Sequence, residues 1–100
     1  MHRETKATSI RADVKPIVWR RDMCRCVLCG SHNAGPHCHY IRRSHGGLGI
    51  PENLWTGCQT CHDAFDSEAS DGPLHQEVAD YLRKHYPDWD EIDKCYRKYK

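Results

Sequence analysis

At 100 residues the chain has room for one small domain, and a domain of this size buries too little apolar surface to stand comfortably on hydrophobic burial alone. The formal net charge of +1, counted with neutral histidines, does not mark a nucleic-acid binder. No apolar run approaches the length of a membrane span, and the opening "MHRETKATSIRADVK" lacks the apolar core of a secretory signal, so no membrane partner and a reducing cytoplasm are expected.

What charge asymmetry exists is local. Arg11, Lys15, Arg20, Arg21 and Arg25 crowd the first quarter, Arg42 and Arg43 sit mid-chain, Lys94, Arg97, Lys98 and Lys100 crowd the end, and acidic residues concentrate between Glu52 and Asp93. An ordinary solvated surface accounts for this as readily as a nucleic-acid footprint does. Seven cysteines and eight histidines are the obvious means of stapling so small a chain. The odd cysteine count speaks against full disulfide pairing, and a reducing compartment favours thiolates and zinc.

In chain order, residues 1–12 have neither periodicity nor apolar content and are expected to form a flexible arm. A short helix is predicted in "DVKPIVWRRDM", with Asp13 as its cap, Pro16 in the first turn, and Val14, Ile17, Val18 and Trp19 as the apolar face. "GSHNAGPHCHYI" carries turn residues and then a brief strand over 37–41. "RRSHGGLGIPEN" reads as a loop, "NLWT" as a second strand, and a helix is predicted to start near Gln59 or Thr60. After "SDGP", the spacing of Leu74, Val78, Tyr81, Leu82 and His85 predicts a helix with Pro73 in its first turn and Pro87 as its stop. "DWDE" then supplies Asp88 as a cap, Glu91 three residues on, and an apolar stripe of Trp89, Ile92 and Tyr96 for a last helix. That spacing assigns these aromatics to a core. The expectation is an α+β fold in one domain over 13–100, with a core motif at 24–66 and a helical extension at 73–98.

Cys26 and Cys29 ("CVLC") and Cys58 and Cys61 ("CQTC") are two C-x-x-C pairs. Each can offer two thiolates to one tetrahedral ion, and together they predict a closed structural zinc site. Such a site has no open coordination position. Its contribution is folding free energy, on the order of 10 kcal/mol in small zinc domains. A redox pair would call for a βαβ context that the pattern lacks. Cys24 stands two residues before Cys26 as a competing ligand, and Cys95 is expected as a buried apolar residue of the last helix.

Between the pairs lies "HCHYIRRSHGG", followed by Glu52, Asn53 and, directly after the last zinc cysteine, His62. With Cys58 and Cys61 fixed at a helix start, His62 projects from the first turn, and the strand upstream can set His39 opposite it. One histidine can then hold a metal while the other takes a proton from water. Cutting a phosphodiester needs an activated water, a cation on the phosphate and in-line positioning, which residues of these types can supply.

The order C-x-x-C, "CHYIRRSHGG", a five-residue gap, Asn53 and "CQTCH" resembles the HNH endonucleases of the ββα-metal fold, especially small phage and prophage members with a four-cysteine zinc site. The likeness runs over about 14–66, and the "YPDW" of the tail adds softly to it. It implies that His39 is the general base, its ring oriented by a backbone carbonyl, and that His62 ligates a catalytic divalent metal (Mg2+, Mn2+, Zn2+, Ni2+ or Co2+). Asn53 would brace the loop between the strands or join the metal shell, bracing being preferred. The implied products carry 5′-phosphate and 3′-hydroxyl ends. The chain departs from the pattern at Cys38, where the family usually has a metal-ligating Asp or His. A thiolate there would favour zinc, cobalt or nickel over magnesium. His37, on the face of His39 by strand alternation, is the alternative ligand. Arg42, Arg43 and His45 are expected at phosphates, with Gly46 and Gly47 letting the loop approach nucleic acid. Asp66, one helical turn after His62, would add a carboxylate to the metal or, preferably, pair with an arginine. The resemblance thus implies a metal-dependent DNA endonuclease, monomer or dimer, in a bacterial host cytoplasm, with terminase or portal proteins of phage packaging as partners. The competing expectation is a non-catalytic zinc module that binds DNA or a protein.

Overall fold

The computed structural model describes residues 9–89. Helix α1 (Val14–Arg21) leads to strand β1 (Gly35–His39), strand β2 (Leu54–Gly57), helix α2 (Gln59–Ser67) and helix α3 (Pro73–His85), with 3-10 turns at Arg43–His45 and Pro51–Asn53. The expected α+β class and the order strand, loop, strand, helix are both present. The predicted helix beginning at Asp88 and the expected burial of Cys95 lie outside the described residues, as does the arm up to residue 8. Ser9 and Ile10 of that arm lie against the domain: both line one cleft with Arg43, whose guanidinium donates to Ser9 Oγ at 3.1 Å. None of the described helices is long and apolar enough to cross a membrane.

Helix α1 ends on Arg20 and Arg21, cations suited to the negative end of the helix dipole. Its start differs from expectation. Asp13 makes no side-chain cap bond and instead accepts from Arg11 Nε at 3.2 Å. Its apolar face is also narrower than predicted, since only Val18 is buried while Ile17 is 53% exposed. What anchors the helix is polar. The Arg21 guanidinium grips both Asp22 carboxylate oxygens, at 2.7 and 3.0 Å, and donates to the carbonyls of Pro51 and Leu54. Asp22 in turn accepts from the Thr56 backbone N–H at 2.8 Å and the Tyr81 hydroxyl at 2.7 Å. This fully engaged ion pair ties α1 to β2 and α3, the arrangement a buried pair needs to offset its desolvation.

The two strands pair antiparallel, with Gly35 opposite Gly57, Cys38 opposite Trp55 and His39 opposite Leu54, and with a shift of register between Gly35 and Cys38. β1 therefore carries one extra residue there, a bulge that interrupts side-chain alternation. It also ends two residues earlier than predicted. The Asn53 side chain occupies the backbone of Ile41, accepting from its N–H at 2.8 Å and donating to its carbonyl at 3.0 Å, so those groups leave the ladder.

On one face of the hairpin, Cys38, Trp55 and Phe65 join Val78, Ala79 and Leu82 of α3 and Trp89 in the buried core. Pro73 opens α3 as predicted, with no side-chain cap from Gly72. The Glu68 carboxylate does that work from outside the helix, accepting from the Leu74 and His75 backbone N–H groups and, at 2.8 Å, from His75 Nδ1. The His75 ring stacks on Phe65 with centroids 3.7 Å apart. Trp89 closes the core from the far end, its indole N–H donating to the Glu52 carbonyl at 2.8 Å.

Candidate functional site

The four cysteines of the C-x-x-C pairs meet as predicted. Their sulfurs all lie within 4.8 Å of one another, and Cys29 Sγ is 3.6 Å from Cys58 Sγ. Tetrahedral zinc with bonds of about 2.3 Å sets its sulfurs about 3.8 Å apart, so the cluster fits that ion. Each knuckle is built locally. The Cys29 N–H points to Cys26 Sγ at 3.5 Å, and Cys58, the N-cap of α2, accepts from the Cys61 N–H at 3.4 Å. The electrostatics are those of a cation site. Burial raises the Cys26 thiol, but backbone N–H groups of Cys29, Cys58 and Leu28 outweigh it and bring the pKa down to about 7. Cys61 is pushed far up by burial and by sharing with the other three sulfurs. Four thiols held this close cannot all ionise together without a positive charge among them. Cys24, the competing ligand, is exposed and is not in the group.

A second group lies beside it: one ligand atom each from His37, Cys38 and His62, all within 4.8 Å of one another. Neighbouring residues of a regular strand point to opposite faces. The bulge at Gly35–Cys38 relaxes that rule and lets His37 and Cys38 reach the same histidine of α2. The two alternatives at this position thus come together rather than excluding each other. Cys38 is 0% exposed, and its thiol is pushed well above the usual range by burial first and then by the Asp66 carboxylate. A metal would have to displace that proton to take the sulfur. Bonds of about 2.0–2.3 Å to nitrogen and sulfur bring tetrahedral ligands to about 3.3–3.8 Å, somewhat closer than the 4.8 Å within which these three atoms lie.

His37, His39 and His62 share a cleft of about 630 Å³ with Lys15, Arg42, Arg43, Ser44, Asp66, Ser9 and Ile10. His39 and His62 therefore do face one hollow. Asp66 is where the expectation of an arginine partner is corrected. Its carboxylate lies 3.1 Å from His62 Nε2, four residues back on α2, and Arg42 instead donates to the Asp66 backbone carbonyl at 3.1 Å. A carboxylate on an imidazole nitrogen fixes the ring's orientation and tautomer. Asn53 is 0% exposed, and its amide is fully used on the backbone: besides its two bonds to Ile41 it donates to Leu48 O at 2.8 Å. Its geometry is that of a brace.

Arg42 and Arg43 line the cleft, but His45 does not. It opens instead on an adjoining hollow with Arg42, Tyr40, Ser70 and His75. The paired glycines have an internal explanation. Gly46 adopts a left-handed φ of 84°, and a Cβ on Gly47 would collide with the Ile41 carbonyl. Sequence reasoning missed the bulge and placed Arg21 among surface cations. The only hint of the latter was the adjacent Asp22. Comparison with family models, curated proteins and solved structures returned no match.

Proposed function

We propose that the chain is a metal-dependent DNA endonuclease of the HNH type. The observation that supports this reading most is the single cleft that holds His37, His39 and His62 among Lys15, Arg42 and Arg43, directly beside a four-cysteine cluster suited to structural zinc. In this reading His39 takes the proton from the attacking water. His37, Cys38 and His62 hold a divalent ion, which supplies charge stabilisation at the phosphate and the departing 3′ oxygen. Asp66 orients the His62 ring, Asn53 positions the loop that carries the arginines, and Arg42, Arg43 and Lys15 meet phosphates. The sulfur ligand selects zinc, cobalt or nickel over magnesium.

The close packing of Cys38 into the apolar core favours a second reading, a zinc module without catalysis. Supercoiled plasmid separates the two. With added zinc, cobalt or nickel the enzyme converts it to nicked circles, and His39→Ala abolishes conversion while thermal transition and zinc content stay unchanged. Conversion by His39→Ala at the wild-type rate would sink the base assignment, and absence of any conversion by the wild type would leave the zinc module.

A further inference from the structure

Two of the described tryptophans are enclosed, Trp55 at 0% and Trp89 at 8% exposure, while Trp19 on α1 is only half-buried. It lines a shallow slot of about 310 Å³ with Lys15, Pro16, Ala34 and Pro36. The walls are an indole, two proline rings and a methyl group, and Lys15 supplies the only charge. Lys15 and Trp19 are four residues apart on α1 and so share a helix face. Slot and cleft adjoin. Lys15 lines both, and Pro36 of the slot is followed in the chain by His37 of the cleft.

The geometry points to this slot as a stacking platform for an unpaired nucleobase of the strand whose phosphate lies in the cleft. The inference rests on the endonuclease reading and deepens it by naming the substrate class: DNA that presents a single-stranded nucleotide beside the cut, such as a frayed end, a flap or a gap. A shallow apolar slot lined by an indole can accept any base by its π face. A cation at the boundary between slot and cleft suits the phosphate that joins two successive nucleotides. A base paired in the interior of a duplex keeps both faces stacked and has none to offer. An apolar side chain of a protein partner would also fill the slot, but it would make no use of Lys15 or of the cleft next to it.

Because Trp19 is the least buried of the three tryptophans and lines the slot, its emission reports on the slot. Zinc-loaded full-length protein is titrated with an eight-nucleotide oligothymidylate and, separately, with a G·C-rich duplex whose two ends are closed by non-nucleotide linkers, following tryptophan fluorescence and the anisotropy of fluorophore-labelled DNA. The oligothymidylate quenches emission to saturation and the duplex does not. Trp19→Ala weakens oligothymidylate binding roughly 5- to 150-fold, the span of base–aromatic stacking. Trp19→Phe keeps the affinity but loses the quenching, which covers the case that the alanine variant fails to fold. Equal quenching by duplex and single strand, quenching that persists in Trp19→Phe, or unchanged affinity in a folded Trp19→Ala would each overturn the platform, and the last two would leave the slot to a protein partner. Plasmid nicking by the same preparations keeps the two readings apart. Nicking without Trp19-dependent binding removes the platform alone, whereas Trp19-dependent binding without nicking removes the nuclease.

Discussion

Replacing Asn53 tests how the loop between the strands is held. Its amide makes three bonds, one from the Ile41 N–H and two to the Ile41 and Leu48 carbonyls, and the side chain is fully enclosed. A buried backbone group left without its partner costs about 1–3 kcal/mol. Ile41 and Leu48 are themselves half-buried, so water recovers part of each loss and the low end applies, giving about 3 kcal/mol for Asn53→Ala. At roughly 4–8 °C per kcal/mol for a domain of this size, the melting midpoint falls by roughly 12–24 °C. Asn53→Asp is the sharper variant. A carboxylate can still accept from the Ile41 N–H, but it offers the two carbonyls negative charge in place of donors, so its loss matches or exceeds that of alanine. A residue that held a cation would behave in the opposite way, with aspartate tightening metal binding and raising the transition. Circular dichroism melts of the zinc-loaded variants decide between these outcomes. An alanine variant within about 3 °C of wild type, or an aspartate variant at or above it, would refute the brace.

Cys61→Ser is expected to lower zinc content by one ion per chain and to abolish cooperative unfolding, and a chelator should do the same reversibly; a retained transition with unchanged zinc by atomic absorption would count against the staple. Asp22→Ala strands the buried Arg21 guanidinium and removes the partners of Thr56 N–H and Tyr81, for a loss of about 3–5 kcal/mol in chemical denaturation, and a loss under 1 kcal/mol would show that the network contributes little. Glu68 feels some desolvation that raises its pKa, but its bonds from His75 and Leu74 hold it below the ordinary carboxylate value. Its contribution is therefore full above the unfolded pKa of about 4.3 and is lost as pH falls through the lower folded value. Glu68→Gln should then be less stable than wild type at pH 7 and converge with it in strong acid, and a gap that stays constant with pH would contradict this.

Local spacing made much of the fold legible. The C-x-x-C pairs imply that two sulfurs of each knuckle lie on one side of a tight turn, whatever the rest of the chain does, and the four sulfurs do gather. Cys58 at a helix start places His62 in the first turn of α2, and the i, i+4 pattern of Leu74, Val78 and Leu82 laid out the inner face of α3 before any partner was known. His39 and His62 line one cleft, as the order of strand and helix start in the sequence predicts.

What spacing could not tell was which side chains the backbone itself would claim. Strand β1 stops at His39 because Asn53, twelve residues beyond Ile41, takes the Ile41 backbone. Arg21 looks like a surface cation in its own segment and becomes a tie between distant segments only through carbonyls thirty and thirty-three residues away. The bulge that turns His37 and Cys38 from rivals into neighbours is a mismatch between two strands, a property neither strand has alone. By itself, then, the sequence determined its turns, its helix starts and its sulfur cluster, because those depend on covalent neighbours. Only the tertiary structure decided which side chains gather at His62 and that the Arg21 side chain is buried, because each depends on how distant segments pair and pack.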